Sequence, residues 1–127
     1  MLFRSNATVA SAGSIRLAAK AMVNTAPTVV ACSGTAASVT WSNGTAAFVF
    51  DVGTSCASES TAVITLPAAT NGWICSCSST TADKMLLQKV IPPANGTTVT
   101  MQNITISTGA NGDFADGADV GCKCMGG

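Results

Sequence analysis

Residues 61–77, TAVITLPAATNGWICSC, constrain the fold more than any other stretch of the chain. Residues 61–66 have the composition of a strand and stop at Pro67, whose ring nitrogen has no hydrogen to give to a ladder. A polar turn closes on Asn71-Gly72, and a second strand opens at Trp73. Side chains of an extended chain alternate sides, so Trp73, Cys75 and Cys77 share one face and Ile74, Ser76 and Ser78 the other. The first face is heavy and apolar. With Ile64 and Leu66 of the preceding strand, Trp73 and Cys75 are the expected centre of a single core.

The same punctuation recurs along the chain. Residues 28–32, 37–41 and 45–52 read as strands, and Asn43-Gly44 makes 37–52 a hairpin with Val39 and Trp41 on one face. Residues 53–60 form a polar loop holding Cys56. Residues 84–91 form a strand ended by Pro92-Pro93, Asn95-Gly96 turns the chain into a strand over 97–106, and a loop over 109–117 leads to a last strand over 118–125. Many short strands with hardly a helix between them predict an all-β chain: a single β-sandwich or jelly-roll-like domain over 27–127. Residues 1–26 are less regular. The segment 14–22 suits a short helix capped by Ser14, with Ile15, Ala18 and Met22 on one side, and equally a strand. The favoured reading is an extended N-terminal arm lying on a neighbouring subunit through Arg4, Arg16, Leu17, Lys20 and Met22.

Charge narrows the function. Hydrophobic residues make up 47% of the chain but charged residues only 9%, and the formal net charge is zero. An ordinary soluble domain carries about a quarter charged residues, so much of this surface is expected to be covered by other copies or by a larger assembly. Arg4, Arg16 and Lys20 are the only charges in the first fifty residues, and all six acids lie beyond them. Three spaced cations are too few for a nucleic-acid footprint. No window approaches the roughly twenty apolar residues of a membrane helix, and Arg4, Asn6, Arg16 and Lys20 interrupt any secretory h-region.

Catalytic equipment is sparse. The chain has no His, which removes the usual general base and the commonest metal ligand, and no motif pairs the carboxylates of Asp51, Glu59 and Asp83. The expectation is a non-enzymatic protein without a cofactor. Cys75-Ser76-Cys77 and Cys122-Lys123-Cys124 are two C-x-C pairs that would each present both sulfurs to one face. Three readings compete: a four-thiolate zinc site on Cys75, Cys77, Cys122 and Cys124, against the usual wider spacing; disulfides, with Cys32 and Cys56 among them; and free cysteines packed as small hydrophobes beside Trp73, which is preferred. Asp113, Asp116 and Asp119 do not follow an EF-hand pattern and read as a solvated loop. Asn6, Asn43, Asn95 and Asn103 each open an Asn-x-Thr sequon, which matters in a secreted eukaryotic protein.

The last 75 residues or so resemble a small β domain of tailed-bacteriophage virion proteins. The resemblance rests on Gly-Thr-Ser-Cys at 53–56, Thr-Leu-Pro-Ala-Ala at 65–69, Asn-Gly-Trp-Ile-Cys at 71–75, the Thr-rich strand pair over 84–106, and a last strand with Cys122 and Cys124. The doubled cysteines depart from that pattern. The resemblance implies a structural building block, often trimeric, of the capsid exterior or the tail. Since no coiled-coil or β-helical shaft is visible, the favoured role is capsid decoration: a homotrimer that binds the major capsid protein on the outer surface of the head, assembled in the host cytoplasm and stabilising the expanded lattice by mass action. A tail-fibre or receptor-binding module is the first alternative, with Trp41 as its saccharide-contacting ring if that ring is exposed. A secreted adhesion domain held by three disulfides is the second.

Overall fold

The computed structural model describes residues 14–17, 20–80, 84–89 and 96–127, with side chains over 22–80, 85–88 and 96–127. These residues form ten strands: β1 (Ser14–Leu17), β2 (Lys20–Val23), β3 (Thr28–Val30), β4 (Ser38–Asn43), β5 (Ala47–Asp51), β6 (Thr61–Thr65), β7 (Trp73–Ser79), β8 (Lys84–Lys89), β9 (Thr98–Thr105) and β10 (Asp119–Gly126). The chain is all-β. Eight strands in the order β4-β5-β10-β7-β8-β9-β6-β3 make one antiparallel, nearly closed, barrel-like sheet. The expected sandwich of two opposed sheets is therefore corrected to one continuous sheet. The reason is β10, which pairs with β7 along one side and with β5 along the other, so the two halves are hydrogen-bonded together. At the remaining gap, the segments following β3 and β5 approach, with Cys32 N donating to Val52 O (3.3 Å) and Gly34 N to Thr54 O (2.8 Å).

The inward faces follow the period of two. Phe48 and Phe50 of β5, Ala62 and Ile64 of β6, Val99 and Met101 of β9, and Val120 of β10 are buried. Each large member of this set contributes about 1.5–3 kcal/mol by leaving water. Trp73, Cys75, Ile64 and Leu66 lie in this core as expected. The Trp73 indole is buried and donates its Nε1–H to Pro67 O (2.7 Å), which satisfies the one polar atom of the ring.

The state of the cysteines is a correction. Rather than free thiols, all six are paired, as Cys32–Cys56, Cys75–Cys124 and Cys77–Cys122. The register causes it: β7 and β10 are aligned so that Cys75 faces Cys124 and Cys77 faces Cys122, with Cα separations of 4.2 and 4.1 Å. Such close opposition belongs to non-hydrogen-bonded pairs, where side chains approach most nearly. The zinc reading falls with it, because all four sulfurs are spent on each other.

The described part of residues 1–26 is a hairpin. β1 pairs with β2 from Ser14↔Val23 to Leu17↔Lys20, and Ala21 meets Gly126 at the end of β10. Arg16, Leu17 and Lys20 belong to these strands and Met22 is half-buried; Arg4 lies outside the described residues. Thr45, fully buried, fastens the hairpin. Its Oγ1 accepts from Val23 N (2.9 Å), its N–H donates to Val23 O (2.8 Å), and its carbonyl accepts from Cys124 N (2.8 Å). Gly44 turns the chain there with φ +59°, and a Cβ at that position would collide with Val23 O.

Candidate binding groove

The outer face of the barrel carries the site. β4 and β5 form the expected hairpin, but their register shifts between Val39 and Trp41: Val39 pairs with Phe50, and Trp41 with Val49. Thr40 is the extra residue of a β-bulge, and its Oγ1 donates to Val49 O (3.3 Å). Beyond the bulge the alternation is inverted. Val39 therefore faces inward with Phe50, while Trp41 is turned outward with Val49. The expectation that Val39 and Trp41 share a face is corrected, and the indole is left 56% exposed. Re-aiming one side chain is a recurrent use of bulges beside functional sites.

Register carries the row on from Trp41. Val49 lies opposite Gly121 of β10, and Gly121 opposite Ser78 of β7. One step along, Asn43 lies opposite Ala47, and Lys123 opposite Ser76. Between these rows runs an open groove of about 420 Å³, walled by Trp41 and Lys123 and floored by Val49, Gly121 and Ala47, with Ser76 and Ser78 at its far side.

Gly121 is the informative floor residue. Glycine in a strand interior weakens the strand and marks a bulge, a bend or a close approach by another group. Here β10 pairs without a register break on both sides of Gly121. A Cβ at Gly121 would meet nothing within 4 Å, so no contact within the chain requires its absence. Its effect is a bare patch of backbone in front of an exposed indole.

The outward side chains of the lining offer the Trp41 ring, two hydroxyls and one ammonium group, the ring of Phe48 being buried on the inner face. The lining holds no carboxylate or imidazole, and what it presents to a ligand is a stacking face, hydroxyl donors and acceptors, and a positive charge. Trp41 was visible in the sequence as a candidate ring. The serines, Lys123 and Gly121 were missed, because only the long-range pairings of β10 bring them to the ring; Gly121 inside an alternating strand was the available signal.

Other polar groups have structural tasks. Asp116 Oδ1 accepts from Cys56 N (2.9 Å) and pins the Cys56 loop. Asn103 is buried, its Nδ2 donating to Asp113 O (3.1 Å). Gln88 bridges the two strands: among the described residues β7 and β8 pair at Cys77↔Leu86 and Ser78↔Met85, and toward the start of β7 the Gln88 amide accepts from Cys75 N (2.8 Å) and donates to Trp73 O (3.1 Å). Among the described residues no group of three or more His, Cys, Asp or Glu is arranged to hold a metal ion.

No protein-family model, no curated protein and no solved structure matches this chain.

Proposed function

We propose that this protein is a non-catalytic binding module working outside the reducing cytoplasm, on a virion tail or as a secreted adhesion domain, and that it holds a saccharide in the Trp41 groove. One observation carries the reading: the bulge at Thr40 turns Trp41 outward into the same row as the bare backbone of Gly121. A pyranose ring has an apolar face of C–H groups that stacks on an indole and a rim of hydroxyls that needs donors and acceptors. Trp41 supplies the first, Ser76 and Ser78 the second, and the missing side chain at Gly121 leaves room for the ring. Three disulfides support an oxidising setting, where such bridges persist.

An open groove of this size is expected to bind a short saccharide with a dissociation constant of order 1 mM, about −4 kcal/mol, raised in avidity when several copies act together. The test is a glycan array followed by NMR titration of the best ligand into wild type and Trp41→Ala. The ring is exposed, so the substitution is expected to leave the fold intact while binding falls at least tenfold. Equal binding by the variant, or no saccharide bound at 10 mM, refutes the reading.

A second reading is capsid decoration, a homotrimer on the major capsid protein. It is favoured by the zero net charge together with apolar side chains on the outer face, among them Ile74 (64% exposed), Met125 (47%) and Leu87 (48%). Light scattering of the protein alone and after mixing with expanded capsid shells tests it. A monomer that leaves the shells bare removes this reading.

A further inference from the structure

We infer that the groove selects an acidic saccharide, one bearing a carboxylate or sulfate, and that Lys123 is the residue that selects it. This deepens the saccharide reading and rests on it. Lys123 is the one charged residue among those lining the groove. It stands on β10 two residues from Gly121, hence on the same outer face, and opposite Ser76 of β7. A sugar stacked on Trp41 and lying across Gly121 therefore presents one edge to an ammonium group flanked by a hydroxyl.

The charge along the face is polar. Two residues from Gly121 in the other direction stands Asp119, paired with Asp51 of β5. Asp51 is already engaged, its Oδ1 accepting from Gly53 N (2.6 Å). Asp119 and Lys123 are four steps apart along the strand, about 14 Å, which exceeds the ~8 Å screening length at physiological salt. The acids therefore do little to cancel the lysine, and they disfavour an anion bound the other way round. The groove thus fixes the orientation of its ligand, acidic group toward Lys123.

The preference expected from one exposed ion pair is modest. Charges 4 Å apart in water attract by about 1 kcal/mol, about fivefold in affinity. The experiment compares oligogalacturonate with its fully methyl-esterified, neutral form, and a sulfated glucosamine oligomer with its desulfated form. Each is titrated by NMR into wild type, Lys123→Gln and Trp41→Ala at 50 and 300 mM NaCl. The acidic member of at least one pair is expected to bind about fivefold tighter at low salt; the margin shrinks at high salt and vanishes in Lys123→Gln, while Trp41→Ala loses both members. Neutral and acidic members binding equally overturns the selection by Lys123 and leaves the saccharide reading standing. No binding by any of them overturns the acidic selection, and the saccharide reading falls with it only where the glycan array is blank as well.

Discussion

The two bridges between β7 and β10 are nested, and nesting makes a quantitative prediction. In the chain-entropy account, closing the 49-residue separation of Cys75 and Cys124 removes about 4 kcal/mol of unfolded-state freedom at 25 °C. Once that loop is closed, Cys77–Cys122 closes a ring of only six residues, 75–77 and 122–124, worth about 2 kcal/mol. The same holds with the order reversed. Replacing either pair by alanine is thus expected to cost about 2 kcal/mol plus the loss of two buried sulfurs. Replacing both costs about 6 kcal/mol plus the loss of four, so the second removal exceeds the first by about 2 kcal/mol. Cys32–Cys56 spans a separate 24-residue stretch, is worth about 3–4 kcal/mol, and should add to either pair independently. Guanidinium denaturation without reductant, followed by the fluorescence of buried Trp73, measures all of these. Losses for the two nested pairs that add to within about 0.5 kcal/mol, as for independent sites, would refute the reasoning.

Three further outcomes are expected. Gly121→Val leaves the melting temperature unchanged or raises stability by up to ~1 kcal/mol, since the Cβ has open space and Val favours strands, while saccharide binding drops at least tenfold; lost stability with binding intact would reverse the assignment of this glycine. Gln88→Ala costs about 1–3 kcal/mol by leaving Cys75 N and Trp73 O without their partner, and hydrogen exchange at the Cys75 amide accelerates; unchanged exchange contradicts the role given to the amide. Produced in a glycosylating secretory host, the folded protein carries no glycan on Asn103, which is 1% exposed, and is open to one on Asn43, which is exposed; peptide mass spectrometry showing occupancy at Asn103 in folded material contradicts the placement of that side chain.

Local pattern made much of the fold legible. Trp73, Cys75 and Cys77 fall on the buried face because strand alternation alone decides it, and Asn43-Gly44 marks the β4–β5 hairpin because few other turns suit that dipeptide. What pattern does not carry is which strand lies beside which. The pairing of β10 with both β7 and β5 joins residues far apart in the chain, and it decides three things at once: one sheet instead of two, disulfides instead of free thiols, and a groove in front of Trp41. The outward turn of Trp41 escaped for a different reason. A bulge adds one residue to one strand, and nothing in Val39-Thr40-Trp41 announces that Thr40 is the extra one.

β10 follows every other strand in the chain, yet it is the seam of the barrel. During synthesis, Cys32, Cys56, Cys75 and Cys77 all emerge before Cys122 and Cys124. Four cysteines allow three pairings, and the only one containing the native Cys32–Cys56 bridge would join Cys75 to Cys77, which must then be undone by thiolate exchange. Rapid oxidation of the nascent chain is therefore an error-prone route, and productive maturation favours a delay until β10 has docked or an isomerase that reshuffles early bridges. The yield of this protein should follow the timing of oxidation more closely than its strength.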